Sequence, residues 1–409
     1  MAIHVLKFGG TSIGTVERIR RASERILTIR ESGARPLVVV SAMGETTDHL
    51  LDLARQVTAH PNQRELDMLL TAGERISMAL LAMALSERGE RAVSYTGSQS
   101  GIVTDERHGR ARIAEIRPQR LRDSLEQGSI VIVAGFQGVS RTREVTTLGR
   151  GGSDTTALAL ASIFASPCTV FTDVDGIYTA DPRLVTGARR IPRLHSRTLS
   201  VLCHLGSQVM HARAVDLASK FRVPFAVRSS FEEGEGTLVH HEEAIESPRV
   251  RAVSVQGAIQ PVRVRIAAID GRARLRERLL SLEVPLEGLQ WEEDAGEQSL
   301  RFWVAPTDAE RMRQMAAEKR PGESWEFPAE RSLVSLVGEG LAGEPDLTRR
   351  ALESLSEGKV LPLGARGTAL SLSFFVSPGD AAEAARALHR DFVEGNQAAV
   401  SKSAASADG

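Results

Sequence analysis

Two glycine-rich segments of the chain place a cation beside backbone that could hold an anion. The first, Lys7–Ser12, reads Lys-Phe-Gly-Gly-Thr-Ser and lies where an apolar run meets a helical pattern. Glycines at such a junction let backbone N–H groups approach an anion, and the following helix N-terminus favours negative charge. Lys7 could then oppose phosphate charge during transfer. The segment matches neither the P-loop motif nor Gly-x-Gly-x-x-Gly, and a tight turn with a solvated lysine is the alternative.

The second segment, Leu148–Thr156, is the more informative. It reads Leu-Gly-Arg-Gly-Gly-Ser-Asp-Thr-Thr, so that glycines surround Arg150 before Ser153 and Asp154 open a helical pattern. A helix cap would account for the serine or the aspartate, but it does not require an arginine among glycines. A clamp for an anion or a carboxylate would use the whole segment, and we favour that interpretation.

Further polar side chains interrupt apolar patterns. Asp173 and Asp175 follow an apolar run, and Tyr178 and Arg183 come shortly after them. A nucleotide base and ribose could use the aromatic and the arginine, and Mg²⁺ with phosphates could use the acids, although Asp-x-Asp-Gly is also a common β-turn. Glu74 interrupts an apolar helix face, where it either pairs with the neighbouring arginine or contacts a substrate.

Residues 1–240 repeat one pattern, in which a short apolar run ends in a small or polar loop and a helical stretch follows. Continuously apolar strands are typical of a parallel sheet that is covered on both faces. The predicted strands are Ile3–Phe8, Pro36–Val40, Ser129–Ala134 and Thr169–Thr172, and the predicted helices are Val16–Arg30, Asp48–Ala59, Arg64–Arg88 and Thr155–Phe164. Ligands of such sheets bind beyond the carboxyl ends of the strands. The residues alone therefore indicate a kinase or nucleotide-binding enzyme outside the P-loop class.

The last third of the chain has a different pattern and contains all three tryptophans. A strand–helix–strand–strand–helix order occurs there twice, over Pro261–Lys319 and Ser332–Phe392. In the second copy the predicted elements are Leu333–Val337, Leu347–Leu355, Val360–Leu363, Ala369–Val376 and Ala381–Phe392. We therefore predict an α/β domain over residues 1–245, two small α+β modules over 250–328 and 329–395, and a disordered tail over 396–409.

Length and composition exclude several classes of protein. A chain of 409 residues suggests two or three domains, and 51 basic against 52 acidic residues give no basic field for nucleic acid or an anionic membrane. No uninterrupted apolar run reaches ~18 residues, and the N-terminus does not resemble a signal peptide. Two cysteines exclude a disulfide framework or a cysteine-based zinc site. We expect a cytoplasmic protein with no metal-ligand cluster, no nucleic-acid partner and no membrane partner.

An ordered set of motifs resembles the aspartate kinases of the amino acid kinase family. The motifs are Val5–Ser12, Val38–Gly44, Thr46–Asp48, Gly73–Glu74, Gly97–Asp105, Gly135–Gly138, Thr146–Asp154, Phe171–Gly176, Val227–Ser230 and Gly236–Thr237. The resemblance implies a three-layer α/β/α domain with a mainly parallel sheet, which uses ATP and Mg²⁺ to phosphorylate the β-carboxylate of L-aspartate. The product, 4-phospho-L-aspartate, would enter amino-acid biosynthesis, including that of lysine and threonine. The two C-terminal modules resemble paired regulatory ACT modules and imply a homodimer.

The resemblance also implies a role for each site residue. ATP would be held at its phosphates by Lys7, Gly9 and Gly10, and elsewhere by Thr172, Asp173, Tyr178 and Arg183. The aspartate pocket would consist of Ser41, Thr47, Glu74, Arg150, Gly151, Gly152 and Ser153. In that pocket Arg150 would face the α-carboxylate and Glu74 the ammonium group. Lys7 and Asp154 would be catalytic, with Asp154 orienting the lysine.

The chain departs from the family pattern in several places, of which three bear on activity or regulation. Gln208 stands where many relatives carry lysine. Ile266–Arg272 lacks the prolines of an effector-binding turn, and Leu361–Gly367 replaces a hydroxyl-rich stretch of the second module. We therefore expect weak or altered inhibition by lysine and threonine. The alternatives are a kinase of glutamate or N-acetylglutamate, and a non-catalytic binding protein for which Gln208 is the only support.

Overall fold

The computed structural model describes residues 2–242, 249–266, 269–282, 284–294, 297–318, 320–341, 344 and 346–395. The described chain divides into two compact units. The first unit takes Met1–Tyr178, Arg190–His204 and Gln208–Ile245, and the second takes Thr179–Arg189, Leu205–Ser207 and the described residues from Glu246 onwards. Two short segments of the predicted domain 1–245 therefore pack with the second unit. The predicted tail, 396–409, lies outside the described residues.

The first unit is built on an eight-stranded sheet. Its strands are β1 (Ile3–Phe8), β2 (Arg35–Val40), β3 (Ala92–Tyr95), β6 (Ile130–Ala134), β9 (Cys168–Thr172), β10 (Arg193–His195), β11 (Phe225–Ser229) and β12 (Thr237–His240). Their order is β10-β12-β11-β9-β1-β2-β6-β3. All neighbours are parallel except β11 and β12. The mainly parallel sheet predicted from the apolar runs is confirmed.

The first unit also contains a separate four-stranded sheet, whose strands come between β3 and β9 in the sequence. It consists of β4 (Ile102–Thr104), β5 (Ile113–Ile116), β7 (Gln137–Ser140) and β8 (Val145–Thr147), in the order β5-β4-β7-β8. Strands β7 and β8 form an antiparallel pair. The chain leaves β8 directly into the glycine-rich segment around Arg150, so this small sheet determines where that segment begins.

Eight helices accompany these sheets in the described part of the first unit. They are α1 (Val16–Glu31), α2 (Thr46–Val57), α3 (Gln63–Leu70), α4 (Ala72–Ser86), α5 (Gln119–Glu126), α6 (Gly152–Ile163), α7 (Ser196–His204) and α8 (Ala212–Phe221). The helical stretch predicted over Arg64–Arg88 is confirmed within two residues at each end, and Thr71, which keeps helical backbone angles, divides it into α3 and α4. The Thr71 hydroxyl donates to the Met68 carbonyl at 3.0 Å. A hydroxyl that bonds back to the preceding turn competes with the regular helical pattern.

One stretch, Gln63–Ser86, is long and apolar enough to cross a membrane by length and composition alone. Its second half is α4, and three of its side chains, those of Met78, Leu81 and Leu85, are buried in a cluster with strands β1, β2 and β6. The core helix of a layered protein has the same composition as a spanning segment, because both are apolar around most of their circumference.

The described residues of the second unit form one seven-stranded sheet and four α-helices. The strands are β13 (Arg249–Ile266), β14 (Glu287–Asp294), β15 (Glu297–Val304), β16 (Glu323–Glu326), β17 (Arg331–Glu339), β18 (Gly364–Thr368) and β19 (Ser371–Val376). The helices are α9 (Ile269–Ser281), α10 (Pro306–Ala317), α11 (Leu347–Glu357) and α12 (Ala381–His389), and a π-helical turn follows at Arg390–Glu394. The sheet order is β14-β15-β13-β17-β19-β18, with β16 also on β13.

The long strand β13 serves both halves of this sheet. Its first part pairs with β17, and its last part pairs with β15 and β16. Two separate apolar clusters result, one around α9 and α10 and the other around α11 and α12. The α+β character predicted for the last third is therefore confirmed.

The predicted strand Val360–Leu363 is wrong, since the structure has no regular strand there and begins β18 at Gly364. Pro362 has no N–H to give to a ladder, and Lys359 has a left-handed φ of 56°. The predicted helix Ala381–Phe392 ends its α-helical part at His389. The other predicted helix of this copy, Leu347–Leu355, is confirmed within two residues by α11.

Candidate active site

Lys7 and Asp154 form an ion pair at the carboxyl end of β1. The lysine Nζ lies 2.6 Å from Asp154 Oδ1, and the two side chains are only 10% and 13% exposed. The aspartate stands in the first turn of α6, so that β1 and α6 together place the pair. A lysine ammonium group has three N–H donors, so a largely buried lysine that pairs with one carboxylate can still donate to another group, such as a phosphate oxygen.

The glycine turn after Lys7 leaves no room for a side chain at Gly10 and only van der Waals contact distance at Gly9. A Cβ on Gly10 would lie 2.8 Å from the Ala42 carbonyl oxygen, and a Cβ on Gly9 would lie 3.4 Å from Lys7 Nζ. The Gly10 carbonyl also accepts a hydrogen bond from the Gly44 N–H at 3.0 Å. The backbone at this turn is therefore bare beside the ammonium group, as a phosphate cradle requires.

The glycine-rich segment around Arg150 adopts backbone angles that other residues avoid. Gly149 and Gly151 have φ of 75° and 68°, which is the left-handed region that favours glycine. A Cβ on Gly151 would also lie 2.1 Å from His211 Cβ. Gly151 itself is the N-cap of α6, with no side-chain cap hydrogen bond. The cap interpretation of Ser153 and Asp154 is therefore wrong.

Ser153 lies in a tight contact between α6 and the end of β6. It is buried, and a Cβ on Gly135 would approach Ser153 Oγ to 2.7 Å. Gly152 is equally confined, because its Cβ would lie 2.9 Å from the Phe136 ring. The side chain of Arg150 is exposed instead. The segment thus consists of a rigid glycine backbone that carries one accessible guanidinium.

Glu74 has a buried carboxylate that is only half satisfied. Its side chain lies in the first turn of α4 and the residue is 3% exposed. Oε1 accepts a hydrogen bond from the Ala42 N–H at 3.1 Å, while Oε2 is buried and has no hydrogen-bond partner among the described residues. Burial raises the pKa of Glu74 to about 7. A buried carboxylate oxygen without a partner can accept a hydrogen bond from a donor such as an ammonium group.

The segment after β2 connects Glu74 with the first glycine turn. Ser41 donates its N–H to the Phe8 carbonyl at 3.2 Å, and Ala42 packs against Gly73, where a Cβ would approach to 2.7 Å. Thr47 is half-buried in the first turn of α2. The structure therefore brings Ser41 and Glu74 to the same edge of the sheet as Lys7.

The residues predicted for the rest of the nucleotide divide between the two units. Thr172 ends β9, and its hydroxyl donates to Asp173 Oδ1 at 3.1 Å. A hydrogen bond to Asp175 raises the pKa of Tyr178. Arg183 belongs to the second unit, where it pairs with Asp181 at 2.7 Å, and it lowers the pKa of that carboxyl.

Sequence reasoning missed two buried hydroxyls beside the glycine turn. Ser230 Oγ donates to Ser12 Oγ at 2.5 Å, and Ser12 Oγ donates to the Phe171 carbonyl at 3.3 Å. Both serines occur in the family motifs, and their position at strand ends was the available signal. Gln208 is exposed in the segment between α7 and α8.

Within the described residues, no group of three or more histidine, cysteine, aspartate or glutamate side chains could hold a metal ion. The groups that the structure does bring to this edge of the sheet are the Lys7–Asp154 pair, glycine backbone and the carboxylate of Glu74. A bare glycine backbone and Lys7 suit phosphate oxygens, and an unpaired carboxylate suits an ammonium group.

Known proteins are similar to this chain over most of its length. A model of the amino acid kinase family matches residues 2–229. An aspartokinase of Corynebacterium efficiens is 40% identical over 96% of both chains, and one of Geobacillus stearothermophilus is 41% identical over 87% of this chain and 89% of its own.

Solved structures share the fold. E. coli aspartokinase III, in complex with aspartate and ADP, is 24% identical with a TM-score of 0.78, over 95% of this chain and 99% of its own. Aspartate kinase from Synechocystis is 32% identical with a TM-score of 0.55, over 96% of this chain and 69% of its own. With its family match and its full-length relatives, the chain belongs to the amino acid kinase family and, within it, to the aspartokinases.

Proposed function

We propose that the protein is an aspartate kinase, which transfers the γ-phosphoryl group of ATP to the β-carboxylate of L-aspartate and forms 4-phospho-L-aspartate. The observation that carries the proposal is the unpartnered, buried oxygen of Glu74 at the sheet edge that holds the Lys7–Asp154 pair. The substrate N-acetylglutamate has an acylated nitrogen in place of an ammonium group, so it could not pair with this oxygen of Glu74. The aspartokinase relatives support the same substrate.

In this proposal the protein positions charges and supplies no nucleophile. The β-carboxylate of aspartate attacks the γ-phosphorus in line, the bond from phosphorus to the bridging oxygen breaks, and ADP leaves. Lys7 opposes the charge on the transferred oxygens, and Asp154 holds Lys7 in place. Glu74 binds the substrate ammonium, and Arg150 binds the α-carboxylate. Positioning and fixed charges of this kind account for most of the catalysis in phosphoryl transfer.

We assign the ATP phosphates to the bare backbone of Gly9 and Gly10, with Thr172, Asp173 and Tyr178 of the same unit holding the rest of the nucleotide. We propose that Mg²⁺ binds together with the ATP phosphates, because it typically keeps waters and phosphate oxygens as ligands beside one or two carboxylates. When bound, it neutralises phosphate charge. We also propose a homodimer through the C-terminal modules, and a cytoplasmic location where ATP and aspartate are supplied.

The decisive experiment measures ATP-dependent acyl-hydroxamate formation with aspartate, glutamate and N-acetylglutamate as acceptors. Hydroxylamine traps an acyl phosphate, so the product reports the acceptor directly. We expect product with aspartate only. Product from glutamate or N-acetylglutamate would assign the chain to another kinase, and no product from any acceptor would identify a non-catalytic protein.

The substitution Arg150→Lys is expected to raise KM for aspartate by ~5–150-fold and to leave KM for ATP nearly unchanged. A guanidinium binds a carboxylate through two parallel hydrogen bonds and an ammonium does not, which corresponds to roughly 1–3 kcal/mol. Initial rates with either substrate varied would measure both constants, and Arg107→Lys, at another exposed arginine, is the matched control. A rise in KM for ATP instead would place Arg150 on the phosphate side.

Lysine and threonine are expected to inhibit weakly or not at all. In the second module, Leu361 is 75% exposed and Gly364–Thr368 forms an exposed strand, which offers few polar side chains to a small zwitterion. In the first module, residues 267 and 268 of the altered turn lie outside the described residues. Losing two or three hydrogen bonds at ~1 kcal/mol each weakens binding by about one to two decades. Initial rates with each effector and with both would decide, and cooperative inhibition at sub-millimolar concentrations would contradict the prediction.

A further inference from the structure

We propose that Asp67 is a positioning residue for aspartate binding and that it acts through the segment that carries Arg150. The inference rests on the proposed function and deepens it. Asp67 lies in α3, and the residue is 1% exposed. A buried carboxylate is costly unless donors surround it, so its hydrogen bonds show what it stabilises.

The Asp67 carboxylate collects donors from two different segments. Thr147 Oγ1 donates to Oδ1 at 2.5 Å. The Gly109 N–H donates to the two oxygens at 3.0 and 3.1 Å, and His108 Nδ1 lies 2.7 Å from Oδ2. One side chain therefore ties the end of β8 to the turn at residues 108 and 109.

The same two segments are tied a second time from α8. Arg213 donates to the Leu148 carbonyl at 2.7 Å and to the Ala111 carbonyl at 2.8 Å. Between these contacts the Ala111 N–H donates to the Thr147 carbonyl at 2.8 Å. Residues 147 and 148 are thus fixed by a buried anion on one side and by a guanidinium on the other.

The two segments also touch immediately before Arg150. Gly149 has a left-handed φ of 75°, and a Cβ there would lie 3.0 Å from the Gly109 carbonyl oxygen. The turn that Asp67 holds therefore packs against the residue next to Arg150. Since the Arg150 side chain is itself exposed, the orientation of its guanidinium group depends on the position of this backbone.

The expected consequence of the arrangement is preorganisation. A bidentate arginine must present its two N–H groups in a fixed orientation, and a backbone shift of ~1 Å at such a residue is enough to cost up to ~100-fold. Asp67 makes none of its described hydrogen bonds to the Lys7–Gly10 turn. Loss of the Asp67 carboxylate should therefore raise KM for aspartate and leave KM for ATP nearly unchanged.

The test is Asp67→Asn, which keeps the shape and turns one acceptor oxygen into a donor that faces other donors. We expect KM for aspartate to rise at least ~10-fold and KM for ATP to stay within ~2-fold. Glu65→Gln is the matched control, because it removes the same charge from an exposed position of the same helix. Equal rises of both KM values would overturn the proposal.

A double-mutant cycle distinguishes positioning from a general loss of structure. If Asp67 acts through Arg150, Asp67→Asn should raise KM for aspartate by less than ~3-fold in the Arg150→Lys background. Fully additive effects would overturn the proposal.

If Asp67→Asn does not fold, Thr147→Val offers a second test, because it removes one of the same hydrogen bonds. We expect Thr147→Val to raise KM for aspartate and Thr147→Ser to restore the wild-type value. An unchanged KM for aspartate in Thr147→Val would overturn the proposal.

The failure of this inference is distinguishable from that of the proposed function. Active wild-type enzyme, together with an unchanged KM for aspartate in Asp67→Asn, overturns the role of Asp67 alone. Wild-type protein that forms no acyl phosphate from aspartate overturns both.

Discussion

Lys7→Ala is expected to lower kcat at least ~100-fold and to change KM for ATP much less. The ammonium group lies over the glycine turn and is held there by Asp154 at 2.6 Å. A charge that opposes the transferred oxygens is used mainly in the transition state, and its removal therefore appears in kcat. Steady-state rates with both substrates saturating would measure the effect.

The same substitution leaves Asp154 with no counter-ion in a site where its side chain is 13% exposed. Unpaired buried charge is destabilising, so thermal unfolding of the variant must show that the protein folds at the assay temperature. Lys220→Ala, at an exposed lysine of α8, is the matched control and should retain full activity. A folded Lys7→Ala protein with unchanged kcat would remove Lys7 from the mechanism.

Most of the catalytic sheet could be predicted from the sequence, because a strand covered on both faces is apolar at every position. The predicted strand Ile3–Phe8 agrees with β1 residue for residue, and Ser129–Ala134 agrees with β6 apart from its first residue. Glycine loops follow from these strand ends, and Lys7 with Gly9 was identified in that way. The apolar runs therefore predicted the sheet. The rule that ligands bind beyond the carboxyl ends of parallel strands predicted where Lys7 and Gly9 lie.

Features that depend on long-range contacts could not be predicted. Phe136 has a left-handed φ of 67°, which is rare for a bulky residue and depends on its surroundings. The role of Asp67 is visible only once β8 and residues 108 and 109 are folded around it.

Glu74→Gln is expected to raise KM for aspartate by ~30-fold or more. In the folded protein Oε1 is used by the Ala42 N–H, and Oε2 is buried and has no partner among the described residues. Replacing it by an amide leaves the substrate ammonium in a buried place with no counter-charge, which costs ~2–5 kcal/mol. Arg150 and the phosphate turn are unchanged, so KM for ATP should be nearly constant. Glu65→Gln is again the exposed control.

The pH dependence of the wild-type enzyme gives an independent test of the same carboxylate. Burial raises the pKa of Glu74 to about 7, so the free enzyme loses the negative charge as the pH falls through that value. The ratio kcat/KM for aspartate reports ionisations of the free enzyme. We therefore expect it to fall by up to ~10-fold per pH unit below about 7, and we expect this fall to disappear in Glu74→Gln.

Stability should show the opposite preference. Because the pKa of Glu74 is higher in the folded protein than in the unfolded chain, the protonated carboxyl favours folding at low pH. This contribution is fully present below about 4.5 and is lost as the pH rises through about 7. Without aspartate, the free energy of unfolding of Glu74→Gln should therefore rise relative to that of wild type as the pH increases from about 4.5 to about 7, and the difference should stay constant above about 7. A carboxylate that is kept unpaired for a substrate must both bind that substrate and destabilise the empty site. Identical pH profiles of kcat/KM in wild type and Glu74→Gln would therefore contradict the assignment of Glu74 to the substrate ammonium.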